Sequence, residues 1–577
     1  MRRTGSEIVW EMLRQEGVEI VFGIPGGAIM HTYHPRQDYG IHHVLVRHEQ
    51  SAAHAADGYA RASGRVGVAI ATSGPGATNL VTGIATAMMD SSPIVCITGQ
   101  VATSVLGTDA FQEADITGIT LPITKHNYLV TDVDDLAATM HDAFQIARSG
   151  RPGPVLVDLP VDVQKAETEF IPPKAATTYA PRALPTADPE AIDRAVELID
   201  RAHRPVILAG RGVLLSGAVD EVVSLADKTD TPVALTLLGK GAFSPSHPLY
   251  LGMMGMHGHA SANHAIQEAD LLIALGMRFD DRVTGNPAMY APQARKIHID
   301  IDAVELNKVI RADVAVHSDL RPALTQITGR VRVKQHADWV RQTEEWRNQL
   351  ETHDALHQQA NGALPAPHIV NEIFAATGGK ALIVTDVGQN QMWAAQYFPT
   401  ECSRPFLSPG GLGTMGFGLP AAIGAQFARP DDEVWAIVGD GGFQMSLHEL
   451  ATLVQEELPV RIAVINNRCL GMVRQWQTMF YDGRHEATDL LNPDFVRVAE
   501  AFGIKALRAG SLGSARTAID QAREHRGPVL VEFEVARDGE LSHVYPMVPT
   551  GAALDAMIRR TPITTGAPMG RSLWTER

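Results

Sequence analysis

Apolar residues in this chain gather in short runs of strand length, and most runs are followed by a stretch with helical spacing. Such runs occupy Glu19–Phe22, Val66–Ala71, Ile94–Thr98 and Pro154–Asp158, then Val206–Ala209, Leu271–Ala274 and Lys296–Ile299. Three more follow at Leu382–Thr385, Glu433–Val438 and Val460–Ile465. Strands alternating with helices predict parallel sheets covered by helices on both faces, an α/β, doubly wound architecture. A chain of 577 residues is too long for one core. Two stretches interrupt the alternation. Glu169–Pro189 is rich in Pro, Ala and Thr and reads as a linker; residues 331–367 form a charged helical stretch ending in Ala-Leu-Pro-Ala-Pro. Three α/β domains are expected, at 1–165, 190–330 and 365–545, with a tail after Thr550.

At the start, Thr4-Gly-Ser-Glu7 has the spacing of a capping box, predicting a helix to Gln15 that stops at Gly17. No apolar h-region precedes it, and no apolar run is long enough to span a membrane. Cys96, Cys402 and Cys469 are far apart, which fits a reducing compartment and no cysteine-ligated metal. A cytoplasmic location is expected. The formal charge of −16, without a basic cluster, argues against a nucleic-acid surface. His257-Gly-His259 lacks further residues at ligand spacing and reads as structural.

The most informative pair is Asp440, in Gly439-Asp440-Gly441, and Asn467, in Asn466-Asn467. Each follows a strand run, and Ser446–Leu458 between them has apolar residues at helical spacing. In a β-α-β unit both side chains emerge at carboxyl strand ends, where open α/β sheets bind ligands. A carboxylate and an amide oxygen suit Mg²⁺ on a diphosphate, and the glycines let backbone approach it. GDG alone is more often a tight turn. Glu49 ends another strand run, in His48-Glu49-Gln50, and by composition alone would be a solvated charge. Ala71-Thr-Ser-Gly-Pro-Gly-Ala-Thr-Asn79 follows a strand and fits either a plain turn or backbone lying against a ring.

GDG followed by NN resembles the thiamine diphosphate motif. The resemblance implies that Asp440, Asn467 and the carbonyl of Cys469 hold Mg²⁺, with Gln389 and Gly441 at the cofactor. Val46–Arg61 resembles the segment of those enzymes whose glutamate bonds N1′ of the aminopyrimidine, which assigns that role to Glu49. Longer strings narrow the family. Gly107-Thr-Asp-Ala-Phe-Gln-Glu113, Arg278-Phe-Asp-Asp-Arg-Val-Thr-Gly285, Gly411-Leu-Gly-Thr-Met-Gly-Phe-Gly418 and Leu470-Gly-Met-Val-Arg-Gln-Trp476 resemble the acetohydroxyacid (acetolactate) synthase catalytic subunits. The likeness runs from about residue 5 to His543–Val548.

That resemblance implies decarboxylation of pyruvate and ligation to a second 2-oxoacid, pyruvate or 2-oxobutyrate, for branched-chain amino-acid synthesis. It implies a homodimer or homotetramer with sites between subunits, and allows a separate regulatory small subunit. The domains become pyrimidine-binding, central FAD-associated and diphosphate-binding. Met415 resembles the wedge that bends the cofactor. Trp476 resembles the residue favouring 2-oxobutyrate, and Arg278 the one binding the acceptor carboxylate beside the flavin. Gly27, Gln112 and Lys125 are implied pocket residues, and Phe111 and Met472 shape its mouth. FAD is implied at Arg151, His257–Arg278 and Asp300–Asp319. Ser51 and Asn390 stand where the family commonly has glycine and histidine. A reading of another class is a pyruvate-oxidase-type oxidoreductase that passes electrons to FAD.

Overall fold

The computed structural model describes residues 1–173, 183–351, 364–402 and 405–536. It contains three six-stranded sheets, each wholly parallel. In the first, the strands run in the order His42–Leu45, Ile20–Gly23, Gly67–Ala71, Ile94–Gln100, Val155–Pro160 and His126–Leu129. The second is ordered Tyr250–Met253, Val233–Leu235, Pro205–Ala209, Leu271–Leu275, Arg295–Asp300 and Val314–His317. The third is ordered Phe406–Leu407, Leu382–Thr385, Val434–Gly439, Arg461–Asn466, Val529–Glu534 and Lys505–Ala509. Central strands such as Gly67–Ala71 and Leu271–Leu275 are buried along their whole length. That is why they read as unbroken apolar runs, as parallel strands covered on both faces do.

Each of the ten strand runs expected from the sequence corresponds to an observed strand, with ends shifted by a residue or two. The capping box is present, with Thr4 capping Glu7 and Glu7 bonding back to Thr4, and the helix spans Gly5–Gln15. Several strands escape the apolar-run criterion because they lie at edges. His126–Leu129 and Val314–His317 are edge strands with half-exposed, mixed sequences. Val529–Glu534 is buried but carries Glu532, whose carboxylate accepts Asn466 Nδ2 at 2.7 Å and Arg508 Nε at 2.9 Å.

Two expectations need correction. The helix expected over Ser446–Leu458 is shorter: Ser446 leaves helical geometry, a tight turn covers Leu447–Glu449, and the helix is Leu450–Gln455. The linker expected from Glu169 begins later, because Glu167–Glu169 pairs antiparallel with Arg2–Thr4. Residues 174–182 of that linker, the His543–Val548 string and the tail lie outside the described residues.

The first and third sheets share one core. Helix Glu49–Ser63 crosses helix Gly418–Ala428 so closely that a Cβ at Gly58 would lie 2.1 Å from the Ala421 carbonyl oxygen. A Cβ at Gly424 would lie 1.8 Å from the carbonyl oxygen of Ala55. The central sheet builds its own core from residues such as Ile207, Ile273 and Ile297. Among the described residues no helix is long and apolar enough to cross a membrane.

Candidate active site

Three neighbouring strands of the third sheet end in polar side chains. Asp386 follows Leu382–Thr385, Asp440 follows Val434–Gly439, and Asn467 follows Arg461–Asn466. Asp440 opens the short helix Asp440–Gln444 and is 2% exposed. Its Oδ1 accepts from Gly441 N–H at 3.0 Å and its Oδ2 from Asn492 Nδ2 at 2.7 Å. Each oxygen keeps lone-pair capacity for a cation. Burial raises the Asp440 carboxyl to about 6. Asn467 donates from Nδ2 to Gln389 Oε1 at 3.1 Å and accepts Cys469 N–H at 3.2 Å on Oδ1. Arg468, at φ +58°, turns the chain between Asn467 and Cys469.

Among the described residues no three His, Cys, Asp or Glu side chains form a metal group. One carboxylate, one amide oxygen and one backbone carbonyl make an incomplete set of hard donors, which fits Mg²⁺ completed by phosphate oxygens and water. Glycines line the same place. A Cβ at Gly441 would lie 2.7 Å from Leu470 and 3.5 Å from the Met415 methyl. One at Gly471 would lie 2.0 Å from Gln389 Oε1 and 2.6 Å from Asn467 Nδ2. Buried Asp386 accepts the amides of Gly416 at 3.0 Å and Gly418 at 2.9 Å, which fixes the loop carrying Met415. Burial raises Asp386 to about 6.

In the first domain, Glu49 begins its helix with 9% exposure. Its Oε2 accepts from Asn79 Nδ2 at 2.9 Å. Gly76 leaves room beside Oε1, where a Cβ would stand at 3.3 Å. The Gly74 backbone faces Gln112, which sits at φ +60°, and Thr72 Oγ1 accepts Ala28 N–H at 3.3 Å, next to Gly27. Gly27, Glu49 and Gln112 therefore meet around the Thr72–Gly76 turn. Phe111 is 88% exposed. Lys125 stands apart: its ammonium donates to the carbonyls of Ile146 and Ser149 at the end of helix Leu136–Arg148, and burial lowers it to about 8.

A cleft of about 1030 Å³ opens between the three domains. It brings together Arg151, His257, Arg278, Asp300, Asp319, Met472 and Trp476, residues spread over more than three hundred positions. Arg151 reaches across from the first domain to Glu305 at 2.8 Å and Asp302 at 3.2 Å. Arg278 is a quarter exposed, and its nearest ion pair, Asp280, is long at 3.7 Å. The next residue, Phe279, holds φ +52°, a costly conformation for a bulky side chain, and is fixed by edge packing on His298 at 5.1 Å. Asp319 caps helix Leu320–Arg330 and accepts Ser216 Oγ at 3.0 Å. Gly210 and Gly212 pack against the neighbouring strand end, where a Cβ at Gly210 would lie 2.3 Å from the Gly276 carbonyl oxygen. A cleft of this size, lined by both apolar and charged residues, has room for a dinucleotide-sized group such as FAD.

Several residues that shape these sites were not singled out from the sequence. Asn492 and Gln444 tie down Asp440: Gln444 Nε2 donates to Asn492 Oδ1 at 2.9 Å. Asp90, buried, accepts Gly411 N–H at 2.7 Å and Arg61 Nη2 at 2.8 Å, anchoring the other end of the Met415 loop. None of these sits in a motif with its own chemical signature. Asp386 carried one signal: it follows an apolar strand run directly, as Asp440 does. Asn390 is buried and donates to the Ile437 carbonyl at 3.1 Å, and Ser51 is buried in the Glu49 helix.

Three sequence families match the three domains in order. The thiamine pyrophosphate enzyme N-terminal TPP binding domain matches residues 3–119, the central domain 192–327, and the C-terminal TPP binding domain 386–533. The chain is 47% identical to the acetolactate synthase large subunit of Corynebacterium glutamicum over 96% of its length and 89% of the relative. It is 45% identical to the probable acetolactate synthase large subunit of Methanocaldococcus jannaschii, covering 96% of this chain and 95% of that one. Against the Escherichia coli K12 acetolactate synthase isozyme 2 large subunit the identity is 44%, over 96% and 99%. With both TPP-binding domains present and this likeness along nearly the whole chain, the protein belongs to the acetolactate synthase large-subunit family of thiamine pyrophosphate enzymes.

Proposed function

We propose that the chain decarboxylates pyruvate and ligates the remaining two-carbon unit to a second 2-oxoacid, forming 2-acetolactate or 2-aceto-2-hydroxybutyrate for valine, leucine and isoleucine synthesis. The observation that carries this reading is the cleft, whose lining includes Arg278 together with Met472 and Trp476 of helix Gly471–Phe480 and Gly411 at the start of the Met415 loop. A cation for a carboxylate and an aromatic wall for a short alkyl group are what an acceptor 2-oxoacid requires.

Thiamine diphosphate, when bound, supplies the electron sink that lets a 2-oxoacid lose CO₂. Asp440, Asn467 and the Cys469 carbonyl would hold Mg²⁺ on its diphosphate, with Asn492 orienting Asp440 and Gln389 orienting Asn467. Glu49 would offer Oε1 to the aminopyrimidine, while Asn79 fixes Oε2. Met415 is presented by a loop pinned by Asp90 at one end and Asp386 at the other. Arg151, Asp300 and Asp319, which line the cleft, would take FAD, and Arg278 would bind the acceptor carboxylate.

Glu49 and the Asp440–Asn467 pair each bond within their own domain. Exposed apolar residues stand close to both in sequence or space, with Phe111 at 88% and Leu491, next to Asn492, at 101%. The Glu49 segment and the Asp440–Asn467 motif support a site shared between copies, in which Glu49 of one copy would complete the diphosphate site of another in a homodimer or homotetramer. The name of the relatives as large subunits supports a separate small subunit.

The test is product identification with purified protein, pyruvate, 2-oxobutyrate, thiamine diphosphate, Mg²⁺ and FAD. Acetohydroxy acids are expected. Acetaldehyde as the main product contradicts the proposal.

A further inference from the structure

Helix Gln389–Tyr397 of the third domain begins at the diphosphate site and ends against the central domain. At its start, Gln389 Oε1 accepts Asn467 Nδ2 at 3.1 Å, and Asn390 ties the first turn to the Ile437 carbonyl. At its end, the ammonium of Lys240, a central-domain residue, donates to the carbonyls of Ala395 at 2.8 Å and Phe398 at 3.2 Å. The same ammonium stands 5.1 Å from the centre of the Phe406 ring. Gln396 Nε2 adds a second tie, donating to the His257 carbonyl at 2.7 Å. Lys240, Ala395 and Phe398 are all buried. A cation is costly to bury without partners, and helix-end carbonyls with an aromatic face supply them. The turn that carries Lys240 is itself held, because Thr236 Oγ1 accepts Gly239 N–H at 3.0 Å.

We infer that Lys240 is a positioning residue for the thiamine diphosphate site. By pinning the far end of helix Gln389–Tyr397 to the central domain, it sets the direction of the helix and so the place of Gln389 beside Asn467. The inference rests on the reading that Gln389 orients Asn467 as a Mg²⁺ ligand. A helix of nine residues moves as a short rod. Asn390 is its pivot, and Gly388, just before it, sits at φ +131°, where glycine turns without strain. Without the ammonium two buried carbonyls lose this donor, and the helix end shifts to find others. A shift at that end re-aims Gln389 on the other side of the pivot. The Gln389–Asn467 bond is already near the long end for N–H···O, so a small displacement weakens it.

The experiment is equilibrium dialysis of thiamine diphosphate against the purified protein, with Mg²⁺ and FAD present throughout and Tm measured alongside. Lys240→Met keeps most of the buried stem and removes the ammonium. It is expected to raise the Kd about three- to ten-fold, less than loss of a group bonded directly to a metal ligand. Gln396→Leu cuts the second tie from a half-buried position and is expected to raise the Kd in the same direction. In a Gln389→Ala background neither substitution is expected to change the Kd further. A parent-like Kd in Lys240→Met, or in Gln396→Leu should Lys240→Met not fold, would overturn the inference even if Tm falls. So would an equal rise in both backgrounds. A Kd unmoved by Gln389→Ala would overturn the Gln389–Asn467 reading beneath it.

Discussion

The side-chain amide of Asn492 donates to Oδ2 of Asp440 at 2.7 Å and to Oδ1 of Asn466 at 2.9 Å. One amide thus joins the two strand ends that the cofactor site needs in register. Asp440→Ala is expected to abolish Mg²⁺-dependent retention of thiamine diphosphate through gel filtration. Asn492→Ala is expected to weaken it by about ten- to a hundred-fold, as loss of a group orienting a metal ligand does. Cofactor bound to Asp440→Ala at the parent level would refute the ligand assignment.

Glu49→Gln keeps the shape and the Asn79 contact but removes the acid. Acetolactate formation is expected to fall by about 10²- to 10⁴-fold, the usual contribution of a positioned proton-transfer group. Thiamine diphosphate should still bind. Mixing and refolding this variant with Asp440→Ala is expected to restore part of the activity, because one mixed pair carries both intact halves. Mixtures no more active than their components would contradict a site shared between copies.

Asp158 sits within strand Val155–Pro160, accepting Thr98 Oγ1 at 2.6 Å and Gln100 Nε2 at 2.9 Å. Gln100 in turn holds Ala114, at the end of the loop that carries Phe111 and Gln112. Burial raises Asp158 from 3.8 to about 7. Between those values the folded chain keeps a proton that the unfolded chain releases, so stability falls as pH rises through that window. The Tm advantage of the parent over Asp158→Asn is expected to shrink from about pH 4 to about pH 7. An advantage that is constant or grows over that range would contradict the assignment.

Gly424→Ala tests the shared core of the first and third domains. Its Cβ would lie 1.8 Å from the Ala55 carbonyl oxygen, which is backbone and cannot swing aside. The helices must separate, at a cost of about 1–3 kcal/mol or more. An unchanged urea midpoint would show that the crossing is looser than described.

Much of the fold was legible because the buried parallel strands are continuous apolar runs, so the β-α-β order could be read along the chain. Edge strands such as His126–Leu129 were not legible, since half their side chains face water and the apolar run dissolves. Asp440 and Asn467 could be picked out because each follows a strand run directly, whereas Glu49, four residues past strand His42–Leu45, rested on the resemblance of Val46–Arg61. Asn492, Asp90 and Arg61 could not. They act through hydrogen bonds to residues up to 347 positions away, as Arg61 does to the Ser408 carbonyl, and such pairings leave no local pattern. The same holds for the Arg282 guanidinium, which stands 5.4 Å from the centre of the Trp476 ring. The glycines of Ala71–Asn79 were ambiguous for another reason: a plain turn and backbone lying against a ring demand the same residues.

The central claim is carboligation, and label balance tests it most directly. The purified protein is supplied with thiamine diphosphate, Mg²⁺, FAD, carbon-labelled pyruvate and unlabelled 2-oxobutyrate, and CO₂ and products are followed together by NMR. The prediction is one CO₂ per acetohydroxy acid formed, with the labelled two-carbon unit joined to 2-oxobutyrate and no oxygen or quinone consumed. Labelled acetate formed with matching consumption of an electron acceptor, and no acetohydroxy acid, would contradict it.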